Sequence, residues 1–354
     1  MKISFYLRTR KSFEPDKLWD TPFGGAEISA FNLGRELSKH HDVWFYGNAS
    51  GNLDEENFHI RHYDQLNEEK HQIFICVRLD SVINPREIRF DDWPEMVLLW
   101  TGDAHDQKNN QMLLDPLVNK FLSLVVCKSN WQRKKLIENF ALDPRKTMVM
   151  YNGVAEDYFA EPGKVNKNKF IHASVIFRGA RHLLQIWPRI KARLPEAQLH
   201  IYSKLSLYGN WHPEEEAYRA LYSQLGAMDG ARLYSPIAQK ELIGQFKSSY
   251  LMLYPNDFLE SSCGVALETQ AAGCPVITTR LAGLIETVGR DGILIDPSVG
   301  IEKYVDCFVE NTLQLVDDEK ARNALAESGR HKVLSQFTWE KVALRWEKLL
   351  SRFI

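Results

Sequence analysis

Continuously apolar runs, separated by amphipathic or polar stretches, follow one another along the first half of the chain. Such runs, unlike alternating ones, are typical of parallel strands that are buried on both faces. They predict strands at residues 3–7, 42–47, 72–77, 96–100, 122–127 and 147–151. Elsewhere apolar residues recur every three or four positions, which predicts helices over 25–39 and 129–140, the second capped by Ser129.

A polar segment, "EPGKVNKNK" at 161–169, contains Pro and Gly and lacks apolar periodicity, so we predict a linker there. The alternation then resumes, with strands predicted at 170–175, 197–202, 231–234, 250–254 and 275–278 and helices at 180–193, 214–226, 239–247 and 262–272. Helices dominate the remainder. This organisation predicts an α/β protein with two Rossmann-like, doubly wound domains that face each other across a cleft.

Composition narrows the class of protein. A chain of 354 residues suits two domains, and a net charge of −2 argues against a nucleic-acid partner. The apolar run before Arg8 is too short for a signal-peptide core, and no apolar stretch is long enough to span a membrane. The five cysteines form no CxxC pair, which suits reduced thiols. We expect a cytoplasmic protein, with peripheral contact at the inner face of the membrane left open.

The stretch "LESSCGVALETQAAGCPVITT", residues 259–279, carries the most specific chemistry. It follows a predicted strand, and ligands of open α/β sheets bind beyond the carboxyl ends of strands. Glu260 precedes the predicted helix and Glu268 lies about two turns into it. The helix start favours an anion, and Gly264 leaves room for close approach. Carboxylates on either side suit sugar hydroxyls, so the pattern indicates a nucleotide-sugar site.

Two expectations about this stretch concern ordinary helix structure. Ser261 and Ser262 are candidate caps, but neither has Glu or Gln three residues later to complete a capping box, so we expect several N–H groups of the first turn to point outward. The alternative interpretation of the stretch is a helix with one solvated glutamate and a glycine that packing requires.

Together with the "AAGCPVITT" that ends it, this stretch resembles the E-x7-E region of retaining glycosyltransferases with the GT-B fold, in particular glycosyltransferase family 4 (GT4). Further segments resemble the family in the same order along most of the chain: "GGAE" at 24–27, "VVCKSNWQRKKL" at 125–136, "DPRKTMVMYNGV" at 143–154, "FRGARHLLQIWPRIKARLPEAQLHIYS" at 177–203, "AGLIETV" at 282–288 and "FTWEKVALRWEKLL" at 337–350. The resemblance implies an acceptor-binding domain over 1–163, a donor-binding domain over 164–335, and a last helix over 336–354 that crosses back to the first domain.

The resemblance also implies roles for individual residues in donor binding. Glu268 would bind the nucleotide ribose, and Glu260 a hydroxyl of the donor sugar. Backbone N–H groups would hold the diphosphate at Ser262, Cys263, Gly264 and Val265. Gly24 and Gly25 would let the backbone approach donor phosphate or acceptor, the alternative being a helix start that needs a tight turn.

One position departs from the family pattern. Family members usually carry an Arg at the end of the second domain's first strand and a Lys before a Gly, and both grip the diphosphate. Here Arg178 stands in the Lys position, and His172 or Ala173 stands where the Arg is expected. Arg178 retains a bidentate phosphate contact. One cation is therefore missing unless Arg181 or another residue compensates.

The stretch "LLWTGDAHDQ", residues 98–107, ends a predicted strand and places Asp103, His105 and Asp106 in the following loop. Because family members keep a His in such a loop, we expect His105 to handle a proton or hydroxyl, with Asp103 beside it. These two join Arg178 and Glu260 as the expected catalytic group. A solvated polar loop is the alternative. We expect no metal and no cofactor besides the donor, because GT-B transferases generally work without a divalent cation.

The implied activity is transfer of a sugar, with retention, from a nucleoside diphosphate sugar to a hydroxyl, as in polysaccharide biosynthesis. The expected donor is a UDP- or GDP-sugar, and the acceptor is a saccharide, a lipid-linked saccharide or a small molecule. The basic stretch 128–146 suits a solvated face, or contact with anionic lipid. Two rivals are a sugar-nucleotide-binding partner protein without turnover, which the missing Arg favours, and a sugar-nucleotide epimerase of the same fold.

Overall fold

The structure, a computed structural model, describes residues 1–7, 11–78, 90–208 and 215–352. The chain divides into a first unit of Met1–Gly153 with Trp339–Ile354 and a second unit of Val154–Thr338. In the part of the chain that is described, no helix is both long and apolar enough to cross a bilayer.

An eight-stranded sheet forms the centre of the first unit. Its strands are β1 (Lys2–Tyr6), β2 (Asp42–Gly47), β3 (Leu53–Glu55), β4 (Phe58–His62), β5 (Ile73–Val77), β6 (Met96–Trp100), β7 (Leu124–Cys127) and β8 (Thr147–Val149), in the order β3-β4-β2-β1-β5-β6-β7-β8. Neighbours pair in parallel except β3 with β4. The α-helices are α1 (Gly25–Leu37), α2 (Pro116–Phe121) and α3 (Asn130–Phe140), and 3-10 helices cover Pro15–Asp20, Tyr63–Glu68, Lys108–Leu114 and Pro144–Lys146.

A six-stranded, all-parallel sheet forms the centre of the second unit. Its strands are β9 (Asn166–Ala173), β10 (Gln198–Tyr202), β11 (Ala231–Tyr234), β12 (Ser249–Tyr254), β13 (Val276–Thr279) and β14 (Ile293–Ile295), in the order β11-β10-β9-β12-β13-β14. The α-helices are α4 (Leu183–Arg193), α5 (Arg219–Ala227), α6 (Gln239–Lys247), α7 (Gly264–Ala271), α8 (Leu284–Val288), α9 (Ile301–Asp317) and α10 (Glu319–Gln336), and 3-10 helices cover Glu156–Phe159, Ala180–His182, Leu205–Tyr208, Glu216–Tyr218, Gly289–Asp291 and Pro297–Val299. The chain then returns to the first unit with α11 (Trp339–Leu350).

Both faces of the second sheet are buried, as the continuous apolar runs predict. Successive residues of β9 point to opposite faces, so Phe170 packs in one hydrophobic cluster and Ile171 in another. The predicted linker is wrong in its second half, because residues 166–169 form the start of β9. Residues 166–168 are exposed at the amino end of β9, and Lys169 is buried. The short strands β3, β4 and β14 were not predicted, and residue 214 of the predicted 214–226 helix lies outside the described residues.

The boundaries between the units differ from the predicted positions at 163 and 335. They fall after Gly153 and after Thr338. Val154 and Phe159 are buried in the same cluster as Met252, which ties residues 154–159 to the second unit. Acceptor and donor binding, as roles of the two units, stay predictions.

Candidate functional site

Two predicted site residues, from segments 82 positions apart, meet at one edge of the second sheet. β9 and β12 are parallel neighbours, so the loops after their carboxyl ends lie side by side. The loop after β9 carries Arg178, whose Nη1 donates a hydrogen bond of 2.7 Å to Oε1 of Glu260, in the loop after β12. The Glu260 side chain is 6% exposed and that of Arg178 is 25% exposed, so the pair is largely shielded from water.

A buried tyrosine holds the same carboxylate oxygen. The hydroxyl of Tyr254, the last residue of β12, donates to Oε1 of Glu260 at 2.6 Å, and Ser174 Oγ donates to the tyrosine oxygen at 3.2 Å. Burial, and then the Glu260 carboxylate, raise the pKa of Tyr254 well above its ordinary value, so its hydroxyl keeps its proton. Sequence reasoning missed this residue; the available signal was a polar aromatic side chain at the end of an apolar strand.

Two glycines bring the loops around Glu260 into close contact. Gly179 has a φ of +85°, and a Cβ there would lie 1.9 Å from the carbonyl oxygen of Pro255. Gly283 donates its N–H to the carbonyl oxygen of Glu260 at 2.8 Å, and a Cβ there would lie 2.2 Å from the carbonyl oxygen of Ser261. Neither position has room for a side chain, which accounts for the glycine of "FRGAR" and that of "AGLIETV".

The start of α7 differs from the predicted cap. The N-cap residue is Cys263, with no hydrogen bond from a capping side chain, so the prediction of Ser261 or Ser262 is wrong. The helix begins two residues later than the predicted start at 262, because Cys263 still has extended φ and ψ angles. Of the four predicted diphosphate-binding groups, Cys263 N already donates to Thr287 Oγ1 at 3.4 Å. Gly264 and Val265 are the first residues of the helix, whose N-cap residue makes no capping hydrogen bond with its side chain, and Ser262 lies before it.

Glu268 is buried within α7, at 7% exposure. Its Oε1 accepts a hydrogen bond of 2.5 Å from Nε2 of Gln239, the first residue of α6. Burial raises the pKa of Glu268 to about 7, and the bond from Gln239 offsets part of that effect. Gln239 is the second residue that sequence reasoning missed, since its contact with Glu268 depends on how α6 packs against α7.

His172 does not replace the missing arginine. It is fully buried in β9, and burial lowers its pKa to about 4, so the ring is neutral at physiological pH. Its Nδ1 lies 2.9 Å from the carbonyl oxygen of Leu253, which can only accept, so the proton is on Nδ1. Arg181, the other candidate, is 65% exposed and pairs with Asp257 at 2.6 Å. Arg178 is therefore the cation that the fold brings to Glu260.

In the first unit, the loop after β6 is held from several sides. Asp103 is 5% exposed; its Oδ2 accepts from Asn109 at 2.9 Å and its Oδ1 lies 3.6 Å from Nε of Arg78. Gln132 donates to the carbonyl oxygens of Thr101 and Asp103 at 3.1 and 2.8 Å. These hydrogen bonds hold the loop after β6 in place, so it is not a freely solvated loop.

The other predicted site residues of the first unit are His105, Asp106, Gly24 and Gly25. The buried Nδ1 of His105 has no hydrogen-bond partner among the described residues, and its ring lies edge-on to Trp131, with centroids 6.0 Å apart. Asp106 is exposed. Gly24 caps α1 at a φ of −71°, which requires no glycine, and a Cβ on Gly25 would meet no atom within 4 Å. The alternative of a tight turn therefore does not account for these glycines.

The described residues contain no group of three or more His, Cys, Asp or Glu side chains placed to hold a metal ion.

Comparison with known proteins identifies the fold. A family model described as "Glycosyl transferases group 1" matches residues 169–318. HepE from Anabaena, solved in complex with UDP-glucose, superposes with a TM-score of 0.76 at 15% identity, covering 99% of this chain and 100% of HepE. Sucrose-phosphate synthase from Thermosynechococcus elongatus gives a TM-score of 0.74 at 15% identity, over 99% and 98% of the two chains. This chain has the GT-B fold and resembles glycosyltransferase family 4.

Two curated relatives are named as a mannosyltransferase and a glycosyltransferase. MMP alpha-(1->4)-mannosyltransferase of Mycolicibacterium hassiacum is 27% identical over 268 residues, which cover 73% of this chain and 60% of the relative. D-inositol 3-phosphate glycosyltransferase of Corynebacterium jeikeium is 24% identical over 70% of this chain and 61% of the relative. The chain thus spans about 60% of the length of the curated relatives that it matches. The fold class predicted from the sequence and the resemblance to GT4 are confirmed.

Proposed function

We propose that this GT-B protein is a retaining glycosyltransferase, which moves a sugar from a nucleoside diphosphate sugar to a hydroxyl acceptor without a divalent cation. The main support is the Arg178–Glu260 pair directly before the uncapped start of α7. A guanidinium, a helix N-terminus and a shielded carboxylate together suit a sugar joined to a diphosphate. The relatives named as glycosyltransferases support the same activity.

Each donor-site residue has a proposed contact. Glu268 binds ribose hydroxyls, with Gln239 holding one carboxylate oxygen. Glu260 binds a hydroxyl of the sugar, oriented by Tyr254. Arg178 has five N–H donors, so it can bind a phosphate while one of them stays on Glu260. The structure of HepE with UDP-glucose favours a uridine nucleotide as the first donor to test.

The proposed reaction proceeds on one face of the sugar. The bond from the anomeric carbon to the diphosphate oxygen breaks, the acceptor oxygen bonds to the same face, and the acceptor proton passes to the departing phosphate. Arg178 and the N–H groups at the start of α7 stabilise the charge that develops on the diphosphate. We assign acceptor recognition to the first unit, with His105 and Asp103 as its polar residues. The acceptor is a saccharide, a lipid-linked saccharide or a small molecule.

A sugar-nucleotide-binding protein without turnover is the second candidate. The observation in its favour is that His172 is buried and neutral, so it supplies no second cation for the leaving group. This candidate shares the donor contacts but predicts binding without transfer.

Thermal shifts with UDP, GDP, ADP and their glucose and mannose derivatives, in EDTA, test the proposal. A ligand at about 100 times its Kd adds about 2.7 kcal/mol, a shift of several degrees. We expect one nucleotide series to stabilise the wild type and Glu327→Ala, a control at an exposed helical glutamate, but to stabilise Glu268→Ala far less. If no nucleotide shifts the wild type, the proposal fails. Binding without hydrolysis or transfer of the sugar supports the second candidate.

A further inference from the structure

The carboxyl edge of the first sheet gathers a second set of charged residues, apart from the donor site. β5, β6 and β7 are consecutive parallel neighbours, and each is followed at this edge by an ionisable side chain: Arg78, Asp103 and Lys128 respectively. Glu27, in the first turn of α1, acts electrostatically on Lys128. Arg78 has a φ of +74°, a conformation rare for a residue with a side chain and one that clusters at functional sites.

Lys128 is the most unusual member of this set. It is 4% exposed, and its Nζ lies 4.8 Å from the centre of the Trp100 ring and 3.5 Å from where a Cβ on Gly102 would stand. Among the residues that the structure describes, its Nζ donates no hydrogen bond and joins no ion pair. Burial, and then Arg78, lower its pKa to about 7 against the opposing effects of Asp103 and Glu27. The contact with Trp100 is a cation–π interaction, but an amine in a largely buried side chain that donates no hydrogen bond to the described residues still opposes folding.

Lys169 in the second unit shows how a structural buried lysine differs. It is 7% exposed, and its Nζ donates to the carbonyl oxygen of Gln245, to Oε1 of Gln245 and to Oγ of Ser248 at 3.2, 2.7 and 2.6 Å. Three acceptors satisfy the three donors of its ammonium group. Lys128 is equally buried, but the described part of the chain offers its Nζ no such acceptors.

A carboxylate oxygen that receives no hydrogen bond from the described residues lies at the same edge of the sheet. Oε2 of Glu27 is buried and has no hydrogen-bond partner within residues 1–7, 11–78, 90–208 and 215–352. Two residues earlier, at the exposed start of α1, a Cβ on Gly25 would meet no atom within 4 Å. The two positive side chains, Arg78 and Lys128, are balanced by Glu27 and Asp103, so the edge suits a neutral ligand with hydroxyl groups better than an anion.

We propose that Lys128 and Glu27 form a hydroxyl-binding subsite for a polyhydroxylated acceptor, in which Lys128 donates to one hydroxyl and Glu27 accepts from another. The inference rests on the proposed transferase function and names the acceptor as a neutral polyol or saccharide. It also explains why a destabilising lysine persists: its hydrogen bonds form only when the acceptor is bound.

Stability variants separate a binding role from a structural one. We expect Lys128→Met to raise the melting temperature by at least ~2 °C, because Met fills the space over Trp100 without an unsatisfied amine. The matched control Lys169→Met is expected to lower it, because three acceptors lose their donor. If Lys128→Met is destabilised like the control, the proposal is overturned.

Saturation-transfer NMR on the full chain, with glucose, mannose and myo-inositol at about 10 mM each, tests the ligand class. We expect transfer to at least one of them in the wild type and Lys169→Met, and a loss of at least fivefold in Lys128→Met and Glu27→Gln. Equal signals in all four proteins, or no signal in the wild type, would overturn the proposal. The thermal shifts with nucleotides test the transferase proposal in a separate experiment. Failure of that proposal is therefore distinguishable from failure of this subsite.

Discussion

At the residue scale, Glu260 and Glu268 are held by different kinds of partner. Glu260 accepts from the cationic Arg178, whereas Glu268 accepts from the neutral amide of Gln239. A neutral donor offsets less of the cost of burying a carboxylate, which is why the pKa of Glu268 rises to about 7. We therefore expect the proposed binding of ribose hydroxyls to the ionised form of Glu268 to weaken as the pH falls below neutrality.

This raised pKa predicts how stability depends on pH. The Glu268 pKa is about 7 in the folded chain against an ordinary 4.5, so the folded chain binds more protons between these values. Stability is then full below about pH 4.5 and falls as pH rises through 7, by up to about 3 kcal/mol. We expect Glu268→Gln to be more stable than the wild type at pH 8, and the difference to vanish near pH 4.5. Urea unfolding at both pH values measures this.

Glu327→Gln, at an exposed position, provides the control for that series. Its effect on the free energy of unfolding should be small at both pH values. A Glu268→Gln effect that is the same at pH 4.5 and pH 8 would contradict the raised pKa.

Short motifs allowed several site residues to be predicted, but not their contacts. Glu260, Glu268 and Arg178 stand in local patterns, and the structure brings Arg178 to Glu260. Tyr254 and Gln239 carry no local pattern, because each acts through a partner that the sheet or helix packing supplies. Their roles as ligand contacts stay predictions.

At the element scale, the loops after β9 and β12 depend on glycines that allow their backbones to touch. Gly179 combines a positive φ with a site that has no space for a Cβ. We expect Gly179→Ala to lower stability by several kcal/mol and to weaken nucleotide binding, because Arg178 moves with the loop. Thermal unfolding with and without nucleotide measures both effects.

Gly244 in α6 is the matched control for that substitution. It lies in a helix, and a Cβ there meets nothing within 4 Å. Gly244→Ala should therefore be neutral or stabilising by up to about 1 kcal/mol. Similar losses in both variants would show that the Gly179 loop has no special backbone requirement.

Strands with continuous apolar runs were predicted well, whereas those with polar ends or few residues were not. β2, β6 and β11 have the predicted bounds. β9 begins four residues before its predicted start, because residues 166–169 extend the strand past the buried part of the sheet. Polar residues interrupt β3 and β4, and the apolar run of β14 is only three residues long, so none of them shows a continuous apolar pattern of strand length.

At the scale of the whole molecule, the first unit depends on both ends of the chain. Trp346 of α11 is fully buried, with its ring 5.3 Å from that of Trp100. We expect truncation after Thr338 to unfold the first unit and leave the second folded. Limited proteolysis with mass spectrometry should then recover a resistant fragment close to residues 154–338.

A chain that ends at Leu350 provides the control, because it keeps α11 whole. It should resist proteolysis over both units. A resistant fragment that begins at residue 1 in the Thr338 truncation would contradict the dependence of the first unit on α11.

The two-domain α/β class was predictable because the alternation of apolar runs and amphipathic stretches recurs along most of the chain. The positions of the domain boundaries were less predictable. Residues 154–159 look like the end of the first domain in the "YNGV" region, but their apolar side chains are buried in the second unit's core. Which core takes a short apolar segment depends on tertiary packing.

The return of α11 to the first unit also determines the order in which the two units can be completed during translation. The second unit is one continuous segment and is complete in the nascent chain once Thr338 has emerged. The first unit begins to appear earlier, yet it lacks α11 until Trp339–Leu350 has been synthesised, so its apolar surface around Trp100 stays uncovered meanwhile. Of the two units, the one that begins first is thus completed second, and the nascent chain is exposed to aggregation during that interval.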